Sequence, residues 1–176
     1  MDIVFFSGDF SPPVLTAPSA VSHPTDTGVS IASLDVTNRG SVSDDVDSSL
    51  SITYKIGTTT LTGAYDFPLG ETTVTMDASD TAGKDAVQVS FTVTVADSEI
   101  PVLTAPADQT ADPDASLTTA SLDVTGLGSV SDNVDSGLSI IYKVGSTTLS
   151  GAYDFPLGET TVTMDATDTA GNDACR

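Results

Sequence analysis

The sequence predicts an all-β chain built from two copies of one β-sandwich module. The chain repeats itself at a constant offset of 88 residues, and 52 of the 76 positions compared between residues 13–88 and 101–176 are identical. Within each copy, strand signals rich in Val and Thr return every ~8–12 residues between Gly, Pro, Asp and Asn punctuation. No window carries a sustained helical period. The acids are almost all Asp, 22 against 3 Glu, and Asp suits turns and hard-cation sites where Glu suits helices.

In the first copy VLTAP (residues 14–18) begins the first strand, and strands follow over residues 33–37, 50–56, 59–67, 72–78 and 87–95. Alternation is clearest where one face is wet: Val74, Met76 and Ala78 share one parity, Thr73, Thr75 and Asp77 the other. Val87, Val89, Phe91, Val93 and Val95 share the inward parity of the last strand. Phe67-Pro68-Leu69-Gly70 reads as a turn. The offset also places the opening apolar run. Subtracting 88 from Phe91–Val95 gives Ile3-Val4-Phe5-Phe6-Ser7, and Cys175-Arg176 fall on Val87-Gln88. The opening strand therefore corresponds to the last strand of a module, and the second copy stops where its own last strand should begin. The expected organisation is a terminal strand over residues 1–10 that completes the sandwich of an adjacent copy, a first sandwich over 11–97, and a second over 98–176 without its last strand.

Composition excludes several functions. Five basic residues against 25 acidic ones leave a net charge of −20, so no basic surface exists for nucleic acid, and anionic membrane surfaces are disfavoured. No apolar run is long enough to insert in a bilayer, and a single Cys makes no internal disulfide.

GSVSDNVD, LSITYKIG, AYDFPLGETTVT, ATDTAGND and FTVTVAD followed by PVLTAP, in order and twice, resemble the HYR (hyalin repeat) family. The resemblance implies immunoglobulin-like sandwiches, an extracellular or cell-surface location, and a structural or adhesive role. It brings no catalytic residues.

In such a sandwich two acidic loops fall at one end of each module. Asp44, Asp45 and Asp47 come from one, and Asp77, Asp80 and Asp85 from the other. The second copy offers Asp132, Asn133 and Asp135 with Asp165, Asp168 and Asp173, and Asp97 and Glu99 enter from the linker. Oxygens converging from two loops and a linker match the six to eight that Ca²⁺ takes. Turn capping by Asx hydrogen bonds is the competing reading of the same residues.

A catalytic role finds no support in the residues. The only histidine, His23, has Ala111 at its equivalent position and reads as an exposed loop residue. No nucleophile elbow surrounds any Ser, and no long loop builds a cleft beside paired Asp residues. Cys175 replaces Val87 and by parity points inward as a small hydrophobe, with an intermolecular bridge as the alternative.

An unfinished sandwich and a detached strand of matching sequence predict self-association, with the chain as its own head-to-tail partner. Ile3, Val4, Phe5 and Phe6 form the assembly strand. Either separate chains join by donor-strand complementation, or the 176 residues are one segment of a longer covalent tandem array. Val4 and Phe6 carry the outward parity of Thr92 and Thr94 and suggest a lateral contact. The expected function is that of a non-enzymatic subunit of an extracellular fibril or cell-surface stalk. The alternative is an adhesive module of a larger secreted protein, binding surface glycans or proteins.

Overall fold

The computed structural model describes residues 8–176, all of them in strands, turns and loops without a helix. The assembly strand Ile3–Phe6 lies outside the described residues. Residues 8–26 and 30–96 form one compact unit, and residues 97–176 with 27–29 form another.

Unit 1 contains β1 (Val14–Thr16), β2 (Val21–Pro24), β3 (Ile31–Leu34), β4 (Ser41–Ser43), β5 (Thr53–Ile56), β6 (Thr59–Leu61), β7 (Tyr65–Pro68), β8 (Gly70–Asp77) and β9 (Val89–Ala96). Its main sheet runs β2-β9-β8-β5-β6, with β2 parallel to β9 and the other pairs antiparallel. Separate ladders pair β1 with β4 and β3 with β7. Thr and Val alternate along β8 and β9, so Val74, Met76, Phe91, Val93 and Val95 all reach one face and pack with Ala32 and Phe67 of the β3–β7 ladder. Phe67, Val74, Met76 and Val93 are completely buried. This two-layer packing is consistent with an immunoglobulin-like β fold.

Two local devices are repeated in both units. Gly57 and Gly145, each at φ +58°, open the two-residue turn of a hairpin, where a side chain is disfavoured. The Gly40 and Gly128 amides donate to the hydroxyls of Tyr54 (2.9 Å) and Tyr142 (3.0 Å). A Cβ at either glycine would sit 2.0 or 2.5 Å from the Cε of Met76 or Met164, so any larger residue would have to displace the end of the buried methionine.

Unit 2 repeats the plan with β10 (Val102–Thr104), β11 (Thr119–Leu122), β12 (Ser129–Ser131), β13 (Ile141–Val144), β14 (Thr147–Leu149), β15 (Tyr153–Pro156), β16 (Thr163–Thr167) and β17 (Asp173–Cys175). Its main sheet is β14-β13-β16-β17. It differs from unit 1 in three places. No counterpart of β2 forms, β16 is three residues shorter than β8, and three-residue β17 stands beside β16 where unit 1 has β9.

The structure corrects several strand expectations. The segment 59–67 is two strands, because the chain leaves the β5 ladder after Leu61 and re-enters at Tyr65 to pair with β3. Residues 41–43 form β4, and His23 lies half-buried in β2 opposite Val95. Val87 is 79% exposed. Asp85 opposes Ser79 and Val89 opposes Met76, so four steps on one strand answer three on the other. This extra residue is a β-bulge, and it reverses the parity of Val87 relative to Val89. Cys175, expected to point inward, is exposed. It stands directly across from Asp165, on the outward face of β16.

One diagonal ion pair recurs on that outward face, Lys55–Asp77 at 2.9 Å and Lys143–Asp165 at 2.5 Å. The Lys55 ammonium, then the Gln88 amide, hold the Asp77 carboxyl below the usual carboxylate range. Hydrogen bonds from the Cys175 thiol and from Lys143 do the same for Asp165.

Two outcomes follow. The folded-state pKa values of Asp77 and Asp165 lie below their unfolded values, so the unfolded chain binds more protons. Their contribution is complete above about pH 4 and is lost as pH falls through the lower folded values. Thermal melts between neutral and acid pH should show this loss, and the double variant D77N/D165N should flatten it. Phe67→Ala should cost about 3–5 kcal/mol in denaturant unfolding. Phe155→Ala, at the half-exposed counterpart in unit 2, should cost no more than about half of that.

Candidate functional site

The loops around each main sheet gather carboxylates. In unit 1 the β4–β5 loop is folded by Asp44, whose Oδ2 accepts the Val46 N–H at 2.9 Å and the Asp47 N–H at 3.0 Å. This Asx turn aims Asp47 at the β8–β9 loop, where its carboxylate accepts the Thr81 N–H at 2.9 Å and the Thr81 hydroxyl at 3.0 Å. Asp80, 7% exposed, accepts the Lys84 N–H on Oδ1 at 2.7 Å. Asp9, just before β1, accepts the Ser11 N–H on Oδ1 at 3.1 Å. One carboxylate oxygen from each residue of Asp9, Asp44 and Asp45, and likewise of Asp9, Asp47 and Asp80, lies within 4.8 Å of the others.

Unit 2 builds the same arrangement 88 residues on. Asp132 Oδ2 accepts the Val134 N–H at 2.8 Å and the Asp135 N–H at 3.1 Å, and Asp135 accepts the Thr169 N–H at 2.9 Å. Asp168, also 7% exposed, accepts the Asn172 N–H at 2.8 Å and the Asn172 side-chain amide at 2.8 Å. Asp97 accepts the Glu99 N–H at 3.1 Å. All four carboxylates, Asp97, Asp132, Asp135 and Asp168, offer oxygens within 4.8 Å of one another.

The hydrogen bonds engage both oxygens of Asp47, Asp135 and Asp168 but hold only one side of the other carboxylates. Asp9 Oδ2, Asp44 Oδ1, Asp80 Oδ2, Asp97 Oδ2 and Asp132 Oδ1 are buried and have no partner. Burial raises the pKa of Asp9, assisted by the nearby Asp44 and Asp80 charges. Backbone N–H groups of Asp47 and Val46 lower that of Asp44. Burial works against ionisation of Asp168, but the Asn172 side chain and backbone outweigh it and hold the carboxyl low.

The remaining candidate ligands are engaged elsewhere. Asp77 and Asp165 pair with lysines on the sheet face. Asp85 and Asp173 accept the hydroxyls of Ser79 and Thr167, each at 2.6 Å. Glu99 Oε1 accepts the Gly28 N–H at 2.8 Å. Asn133 stands half-buried beside Asp132. Asp9 was absent from the expected ligands, although it is the offset partner of Asp97.

A second feature belongs to unit 2. A groove of about 730 Å³ opens along β16, with Leu122, Val124, Tyr142, Phe155, Val162 and Met164 in its walls. The corresponding surface of unit 1 is covered by Phe91, Val93 and Val95 of β9.

No curated protein matches the chain. The family model described as HYR domain matches residues 8–95, from the residue before Asp9 to the penultimate residue of β9. With half its length matched, the chain belongs to the HYR domain family.

Proposed function

We propose that this chain is a non-enzymatic structural subunit of an extracellular fibril or stalk, joined head to tail by a strand that enters the groove of unit 2. HYR domains are extracellular and cell-surface modules of adhesion type, which supports the location and the role. The observation that carries the assembly step is the groove itself. It occupies the place that β9 fills in unit 1, and its presence leaves Phe155 and Val162 half-exposed where Phe67 and Val74 are completely buried.

The occupant is the Ile3–Ser7 segment of another copy. By offset, Ile3, Phe5 and Ser7 take the positions of the buried Phe91, Val93 and Val95, and Val4 and Phe6 those of Thr92 and Thr94. An entering strand would satisfy the free edge of β16 and cover the apolar groove in one step. Repetition of a surface that accepts a strand and a segment that supplies one gives an open linear assembly.

Electron microscopy of the purified chain should show filaments, and deletion of residues 1–10 should leave dispersed subunits. Unchanged filaments from the deleted chain would rule out strand donation, while dispersed particles from the intact chain would favour a monomeric adhesive module. Phe5→Asp should abolish assembly by placing a charge in the groove. Val4→Thr with Phe6→Thr should preserve filaments and reduce their side-by-side bundling.

A further inference from the structure

We propose that each unit holds one Ca²⁺ in its carboxylate cluster, and that Lys84 makes the site of unit 1 the weaker of the two. An acidic cluster alone is common on a protein surface. Here Asp80 is 7% exposed and its Oδ2 is buried without a partner, and the Asp9 side chain is also 7% exposed with a bare Oδ2. Both residues belong to the group whose oxygens lie within 4.8 Å of one another. A buried carboxylate oxygen facing other carboxylates without a donor is strongly unfavourable unless a cation compensates it.

The donor set favours Ca²⁺. Carboxylates gathered from separate loops suit its flexible coordination by six to eight oxygens, whereas Mg²⁺ demands near-ideal octahedral geometry and gives up its waters reluctantly. The ligands come from two loops and one chain segment, and Asp9, Asp44 and Asp80 are each held on one oxygen by a backbone N–H while the other stays bare. This leaves a preorganised cup of inner oxygens. The same positions recur in unit 2, where Asp97 Oδ2 and Asp132 Oδ1 are the bare oxygens.

The two cups differ at two positions, Asp45 against Asn133 and Lys84 against Asn172, and the second places a positive charge at the ligands. In unit 1 the Lys84 ammonium donates to the main-chain oxygen of Asp9 and sits 3.7 Å from Asp9 Oδ1. It still leaves Asp9 Oδ2 and Asp80 Oδ2 unpaired. In unit 2 the equivalent residue is Asn172, a neutral amide that donates to Asp168. A metal entering unit 1 must share Asp9 with a tethered positive charge, and one entering unit 2 meets no such competitor.

Calorimetric titration of the full chain with CaCl₂ tests this. Two sites of unequal affinity are expected, the weaker within the ~10⁻⁴–10⁻³ M range of extracellular modules. Lys84→Asn should tighten the weaker site about tenfold, and Asn172→Lys should weaken the stronger one by a similar factor. Neither variant removes a carboxylate ligand, and circular dichroism checks that both keep the fold. At a Ca²⁺ concentration a hundred times Kd, Tm should rise by about 10 °C or more relative to EGTA. Absence of binding heat together with an unchanged Tm would overturn the sites. Equal affinity for MgCl₂ would overturn the assignment to Ca²⁺. Two sites unmoved by Lys84→Asn would overturn the role of Lys84.

Discussion

The pairing of β8 with β9 is the interaction on which the rest of unit 1 depends. Seven residue pairs join these strands, and the inward residues of both supply the completely buried centre of the core. The strand β2 attaches only through β9, and Phe67 is sealed by side chains that β9 brings. In unit 2 the strand beside β16 is the three-residue β17. The residues 158–162, identical to those opening β8, leave the strand state. The apolar wall behind them is left as a groove, and the segment equivalent to β2 does not join a sheet. Burial and ladder hydrogen bonding thus depend on one another here, and propensity alone does not hold ETTV as a strand.

The acidic loops rest on the same frame. Asp80 and Asp168 leave the end of the strand that crosses the core, and their partners Asp47 and Asp135 arrive from the opposite loop. The Asp47–Thr81 and Asp135–Thr169 clips tie the two loops together within each unit. In Asp9, Asp44, Asp80, Asp97 and Asp132 one oxygen accepts a backbone N–H and the other stays bare, so turn capping and cation binding do not exclude one another as readings of these residues.

The repeat, the strand-rich architecture and the loop positions of Asp44, Asp47, Asp80 and their copies were legible because an 88-residue identity and a two-residue alternation are properties of the chain itself. What escaped depended on pairing between distant residues. The bulge near Val87 exists only as a mismatch between two strands, so parity counted along one of them misplaced both Val87 and Cys175. Asp77 and Asp85 read as loop acids by proximity to Asp80, yet Asp77 lies across the ladder from Thr53, where Lys55 reaches it. Asp9 was readable from its correspondence with Asp97, but it sits far from the loops in sequence and joined them only in three dimensions.

The near identity of the two copies also bears on how the chain folds. Strand β9 lies in sequence between two acceptors of identical composition, since GETTVTMDA occurs at residues 70–78 and again at 158–166. Within this acceptor segment side chains give β9 no reason to prefer one copy over the other. Chain connectivity does, because 11 residues separate β9 from β8 and 66 separate it from β16. Loop-closure entropy over those lengths favours the nearer acceptor by about 1.6 kcal/mol, or roughly fifteen-fold. Distance along the chain, together with the β2 pairing found in unit 1, therefore favours β8 as the partner of β9.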